Sequence, residues 1–172
     1  MSSVALLLLT LLPQAPQAAA VAPPMELSFT RVIVAPGASA ALPIYLVANE
    51  VYREPFQITL EYGDRELKFE KVALAYLSER AKWKVTGSVK PHPEKPDRRV
   101  LRIDITPGES TFFPSGAVAH AHFLVSKDTR VGDVLLDAAL IAPAGSTPVT
   151  ASKPAKIIVS TTPIFGCFFY MH

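Results

Sequence analysis

Pro55-Phe56-Gln57-Ile58-Thr59-Leu60-Glu61-Tyr62-Gly63-Asp64-Arg65-Glu66-Leu67 is the stretch whose reading decides the fold. Apolar Phe56, Ile58, Leu60 and Tyr62 alternate with polar Gln57, Thr59 and Glu61, the two-residue period of a strand buried on one face. Gly63-Asp64 is a turn pair, after which Leu67 and Phe69 restart the alternation. Pro55 has no N–H to give to a ladder, so this strand begins at or after it.

The same rhythm continues in both directions. Toward the N-terminus, Leu27 to Val34 reads as a first strand, Ala35-Pro36-Gly37 as a turn, and Ala40 to Ala48 as a second strand with Leu42, Ile44 and Leu46 on one face. Toward the C-terminus, Leu67 to Leu74 is followed by a helical turn over Tyr76 to Arg80. Trp83 and Val85 then point inward between Lys82, Lys84 and Thr86 in a fifth strand. Gly87 and the run Pro91 to Asp97 form a rigid connection through which no sheet is expected to continue. Leu101, Ile103 and Ile105 alternate with Arg102 and Asp104 until Pro107-Gly108. Beyond Gly116, Ala117, Ala119, Ala121, Phe123 and Val125 share one face of a long strand, and His120 and His122 the other. A turn over Lys127 to Gly132 leads into Val134 to Ala142, mostly apolar and expected to be buried on both faces, and Ala155 to Ser160 closes the fold. Short strands at intervals of about 8–12 residues predict an all-β antiparallel sandwich. No amphipathic helix or internal repeat interrupts them.

Ala5 to Leu12 is an uninterrupted run of apolar residues and Thr, and Ala18-Ala19-Ala20 offers a small-residue cleavage pattern, so residues 1–20 are expected to be a secretory signal. The usual basic n-region is missing, since the first Lys or Arg is Arg31. Pro13 and Gln14 end the apolar run well short of the roughly 20 residues a spanning helix needs, so no membrane span is expected after cleavage. The remaining chain, about 150 residues, is one domain's worth, expected over residues 21–160. With Cys167 as the only cysteine, no intramolecular disulfide can form, and stability must come from packing. The 17 basic and 15 acidic residues leave a net charge of +2, and the basic residues are not gathered on one face, which excludes nucleic acid as a partner. Residues 161–172 form an apolar tail containing Ile164, Phe165, Phe168, Phe169 and Tyr170. Either it packs back on the sandwich, or the natural chain continues into an anchor or further module. The second is the expectation here.

From Leu27 to Val159 the chain resembles cohesin domains and the related carbohydrate-binding modules of cellulose-degrading systems. The similarity rests on Pro36-Gly37 before Leu42-Pro43-Ile44, on the frame from Ile58 to Leu67, on Gly116-Ala117-Val118-Ala119 with Phe123 and Val125, and on Gly132 with Val134 and Leu136. The resemblance implies a jelly-roll sandwich of about nine strands. It also implies a flat binding face built from strands three, five, six and eight, which in cohesins docks a calcium-binding dockerin module. Transferred to this chain, that geometry collects Gln57, Thr59, Glu61, Lys82, Lys84, Arg102, Asp104, His120 and His122 on one sheet. At Pro55 and Gln57 the chain departs from dockerin-binding members, which tend to place Asn and Asp just before this strand's frame.

Three other chemistries have candidate residues in the sequence. For polysaccharide binding the candidates are Phe112 and Phe113, an apolar pair in a turn-rich loop that equally suits capping the sandwich. Tyr45, Tyr52 and Tyr76 show no pattern that would align them into a strip. His120 and His122, two apart on a strand, have the separation a metal needs, with Asp104 as a third ligand from a neighbouring strand. A surface His-x-His is more often incidental, and no metal or other cofactor is assigned. Catalysis is not expected. There is no nucleophile elbow, phosphate loop or zinc-protease helix, and Glu61, Asp64, Glu66 and Glu70 do not form a glycosidase pair across a cleft.

Overall fold

The computed structural model describes residues 26–47, 54–108, 116–141, 149–150 and 154–162. The expected signal segment, most of the apolar tail, and the Phe112-Phe113 loop lie outside them. Among the described residues eleven strands and one short helix follow in order: β1 (Glu26–Phe29), β2 (Val32–Val34), β3 (Ser39–Val47), β4 (Phe56–Gly63), β5 (Leu67–Leu74), α1 (Tyr76–Arg80), β6 (Lys84–Pro91), β7 (Arg98–Thr106), β8 (Gly116–Val125), β9 (Gly132–Ile141), β10 (Val149–Thr150) and β11 (Ala155–Val159).

Two sheets face each other. The smaller runs β1-β3-β8-β5 and the larger β2-β11-β9-β4-β7-β6, with two-residue β10 added to β9. In β4 the alternation reads directly as burial: Phe56, Ile58, Leu60 and Tyr62 are inside, and Gln57, Thr59 and Glu61 face out. Leu101, Ile103 and Ile105 of β7 join them, as do Leu136, Ala138 and Leu140 of β9 and Ile157 and Val159 of β11. The smaller sheet answers with Leu42, Ile44 and Leu46 of β3 and with Ala119, Ala121, Phe123 and Val125 of β8. Phe123 meets Tyr62 edge-on across the interior at 5.1 Å between ring centroids, and Trp83 packs in the core against Phe56 at 6.0 Å.

The expected sandwich is present, with five local departures. The first strand divides after Phe29: β1 pairs with β3 in one sheet, while β2 lies parallel to β11 in the other. That is the parallel pair in an otherwise antiparallel arrangement of the described strands. The ladder slips between Ile44 and Tyr45, so Val118 is an extra residue on β8 and turns inward beside Ala119, leaving Ala117 only half-buried. Β-strand β6 continues through Gly87 to Pro91, because it is an edge strand and tolerates a proline there. At Gly87 this edge comes close to the other sheet: an added Cβ would stand 3.0 Å from both Phe69 Cζ and Val72 Cγ1. In β9 only one face is buried, and Asp133, Leu135 and Asp137 face solvent.

Lys82 is also misplaced by the strand reading. The N–H of Trp83 donates to the Ser78 carbonyl and that of Lys82 to the Glu79 carbonyl, so helix α1 ends in a Schellman arrangement with Lys82 in the left-handed region at φ 58°. A Cβ-bearing residue is strained there. Lys82→Gly is therefore expected to raise stability by about 0.5–1 kcal/mol despite glycine's looser unfolded chain, read as a higher urea midpoint.

Candidate functional site

The pleat puts every second residue of β9, β4, β7 and β6 on one outer surface. Register makes it a grid. Gln57, Asp104 and Thr86 lie in one row, Thr59, Arg102 and Ser88 in the next, and Glu61, Val100 and Lys90 in a third. On the other flank Thr59 is opposite Ala139 and Glu61 is opposite Asp137.

Most charges in this grid are paired. Gln57 Nε2 donates to Asp104 Oδ1 at 2.8 Å, and Arg102 Nε donates to the same oxygen at 3.0 Å. Arg98 Nη2 bridges the Glu61 backbone carbonyl and the Asp137 carboxylate, each at 2.9 Å. The connection after β6 folds back so that His92 Nε2 reaches Glu61 Oε2 at 3.3 Å. His92 Nδ1 accepts the backbone N–H groups of Glu94 and Lys95, which fixes the ring proton of the neutral imidazole on Nε2, facing Glu61. Lys156 Nζ of β11 holds Asp133 at 2.6 Å. Lys84 and Lys90 on the outer strand have no such partner among the described residues, so the surface grades from cationic at β6 to acidic at β9. Leu135, 49% exposed, projects from this surface between the paired Asp133 and Asp137, and Ile158 and Ile33 extend it as an apolar margin.

Burial pushes the Asp104 carboxyl up, but the hydrogen bonds from Arg102 and Gln57 outweigh it and hold the group below its ordinary value. A carboxyl depressed in the folded state stabilises the fold above its unfolded pKa, and that contribution disappears as pH falls through the lower folded value. Arg102→Ala is expected to move the Asp104 titration upward in a carboxyl-carbon NMR titration, because it removes the hydrogen bond and the charge that Arg102 sets against the effect of burial.

Of the residues expected on one face, Gln57, Thr59, Glu61, Lys84, Arg102 and Asp104 do share it. Lys82 sits in the turn after α1, and His120 and His122 lie on the outer face of the opposite sheet, because β8 pairs with β3 and β5. A triad of the two histidines with Asp104 is therefore not assembled. Among the described residues no group of three or more His, Cys, Asp or Glu is placed to hold a metal. Phe112, Phe113 and Tyr52 fall outside the described residues. Tyr76 is exposed under the Arg80 guanidinium, and Tyr45 is half-buried on the small sheet, so those two form no strip. The four carboxylates considered for catalysis are dispersed: Glu61 meets His92, Asp64 meets Arg99 at 2.7 Å, Glu66 lies in the β4–β5 turn, and Glu70 accepts the Ser39 hydroxyl at a bulge on the other sheet. The sequence reading missed Arg98, His92, Asp133, Leu135 and Asp137. Only the last three carried a signal, their spacing of two within β9. No helix among the described residues is long and apolar enough to cross a membrane.

No family model matches the chain, and no curated protein does. Solved structures do. A type I cohesin from a cohesin–dockerin complex of Clostridium thermocellum superposes with a TM-score of 0.56 at 16% identity, over 79% of this chain and 99% of that one. The third cohesin of a scaffoldin of Acetivibrio cellulolyticus, in complex with a dockerin, gives 0.54 at 13% identity over 78% and 98%. The sixth cohesin of scaffoldin B from the same organism, bound to the Cel5 dockerin, gives 0.53 at 14% identity over 79% and 99%. At such identities the likeness is one of fold, and the fold is cohesin-like.

Proposed function

We propose that this chain is a non-catalytic protein-binding module that docks its partner on the outer surface of β9, β4, β7 and β6. The observation that carries this reading is the grid around Glu61, Arg102 and Asp104, flanked by an exposed Leu135, on a sandwich whose solved counterparts include cohesins bound to dockerins. The surface has the anatomy of an interface: an apolar anchor rimmed by side chains whose charges are already satisfied, so that docking does not leave a carboxylate buried alone. A dockerin-like helix pair is the proposed partner class. Export, and a role in assembling enzymes of polysaccharide breakdown, belong to the same proposal. The first rests on the apolar run before Pro13 and the second on resemblance. Direct sugar binding has less support, because Trp83 is buried and the described tyrosines are scattered.

The test uses the full chain as bait for the secreted fraction of its organism, with and without calcium, beside a column of insoluble cellulose. A partner carrying a duplicated Asp-rich loop, retained only with calcium, is the expected result. Its affinity should fall by about 2 kcal/mol, some thirtyfold, in Leu135→Asp and be lost in Glu61→Ala/Arg102→Ala, with the thermal midpoint little changed. Undiminished binding in both variants overturns the assigned face. Retention on cellulose without a protein partner overturns the reading itself.

A further inference from the structure

His120 and His122 alternate on β8, so both imidazoles rise from the outer face of the small sheet, the side of the sandwich opposite the proposed docking surface. Their strand is an interior one, hydrogen-bonded to β3 on one side and β5 on the other, which fixes the backbone beneath them. Across the ladder His120 is flanked by Pro43 and Ala73, and His122 by Ala41 and Lys71. Three of these four neighbours are short and apolar, and offer the rings no polar group. Neither imidazole has a hydrogen bond or ion pair to the described residues, although both are half-buried. That contrasts with His92, whose two ring nitrogens are both engaged.

We propose that His120 and His122 form a two-imidazole chelate for a borderline divalent transition metal ion, Cu²⁺ being the best fit, with water completing its coordination. Same-face residues two apart on a strand are separated by about 6.5–7 Å, and bonds of about 2.0–2.1 Å let two rings leaning together hold one ion between them. Imidazole suits Cu²⁺, Ni²⁺ and Zn²⁺, and Cu²⁺ binds tightest in that order. A closed zinc site needs four protein ligands, which this face does not gather. Glu70 is held at the β5 bulge by the Ser39 hydroxyl, while Lys71, opposite His122 across the ladder, opposes any cation there.

The experiment is calorimetric titration with CuCl₂ of the full chain carrying His172→Ala, which removes a competing terminal imidazole, together with electron paramagnetic resonance to count coordinated nitrogens. One ion per chain with two imidazole nitrogens is expected. Affinity should drop at least tenfold in His120→Ala and again in His122→Ala, and rise severalfold in Lys71→Ala. These are outward-facing substitutions, and circular dichroism verifies that each variant is folded. Unaltered affinity in either histidine variant, or no gain in Lys71→Ala, overturns the site. Docking of the protein partner is expected to be unaffected by the histidine variants, so this inference and the proposed function fail separately.

Discussion

Phe123→Ala is expected to lower stability by about 3–5 kcal/mol, a drop of roughly 10 °C or more in the thermal midpoint of a domain this size. The ring is fully buried toward the C-terminal end of β8 and is met edge-on by two others, Tyr62 of β4 at 5.1 Å and Phe69 of β5 at 6.0 Å. Truncation removes both aromatic contacts and leaves a void that neither flanking ring can fill, because each belongs to a hydrogen-bonded strand with its own register. Domains have only about 5–15 kcal/mol of net stability, so a large share of it hangs on this residue. Phe123→Leu keeps most of the volume and should lose much less. Urea unfolding of the two variants, with equal slopes, checks the ranking; equal losses would mean that the aromatic cluster adds nothing beyond its bulk.

The second large effect is expected from the smallest possible substitution. At Gly108 an added Cβ would stand 2.1 Å from the Ala81 carbonyl oxygen and 2.8 Å from that of Lys82. Both obstacles are backbone, and they belong to the turn in which helix α1 ends. Gly108→Ala must therefore displace one chain segment from another, with an overpacking cost of about 1–3 kcal/mol or somewhat more. Gly87→Ala is the control, since its new Cβ meets side chains rather than backbone, the ends of Phe69 and Val72 at 3.0 Å and of Leu101 at 3.6 Å, and these can shift. The expected order of denaturation midpoints is wild type, then Gly87→Ala, then Gly108→Ala, and a reversed order would show that the turn yields more easily than the core.

The architecture was legible in the sequence wherever one face of a strand is apolar and the other polar. Β-strand β4 is the clearest case: Phe56, Ile58, Leu60 and Tyr62 all point inward as their spacing requires. What alternation cannot express is which sheet a strand joins. His120 and His122 point outward as read, yet outward from the other sheet, since that depends on β8 pairing with β3 and β5 far away in sequence. Lys82 fitted the pattern of Lys84 and Thr86, but the hydrogen bonds that close a helix took it. The bulge that turns Val118 inward is likewise a property of two strands together. In β9 the signal was present and outweighed: Asp133, Leu135 and Asp137 are spaced by two, but the apolar run of Val134, Leu136, Ala138 and Leu140 drew attention to burial. Of the ion pairs of the candidate face, Arg102 with Asp104 lies within one strand, but Arg98 with Asp137 joins residues 39 positions apart and has no local signature.

The break after Phe29 also sets how the domain would carry a mechanical load. Because β2 and β11 run side by side in the same direction, with Val32 beside Ile157 and Val34 beside Val159, tension entering at Glu26 and leaving beyond Val159 drags β2 backward and β11 forward. Their hydrogen bonds, and that from the Ser160 N–H to the Val34 carbonyl at 2.9 Å, then stand across the pull and must rupture together rather than one after another. An antiparallel pair loaded at one end would unzip. Once β1 is stripped from β3, the short parallel clasp is the shear lock that keeps the sandwich shut under force.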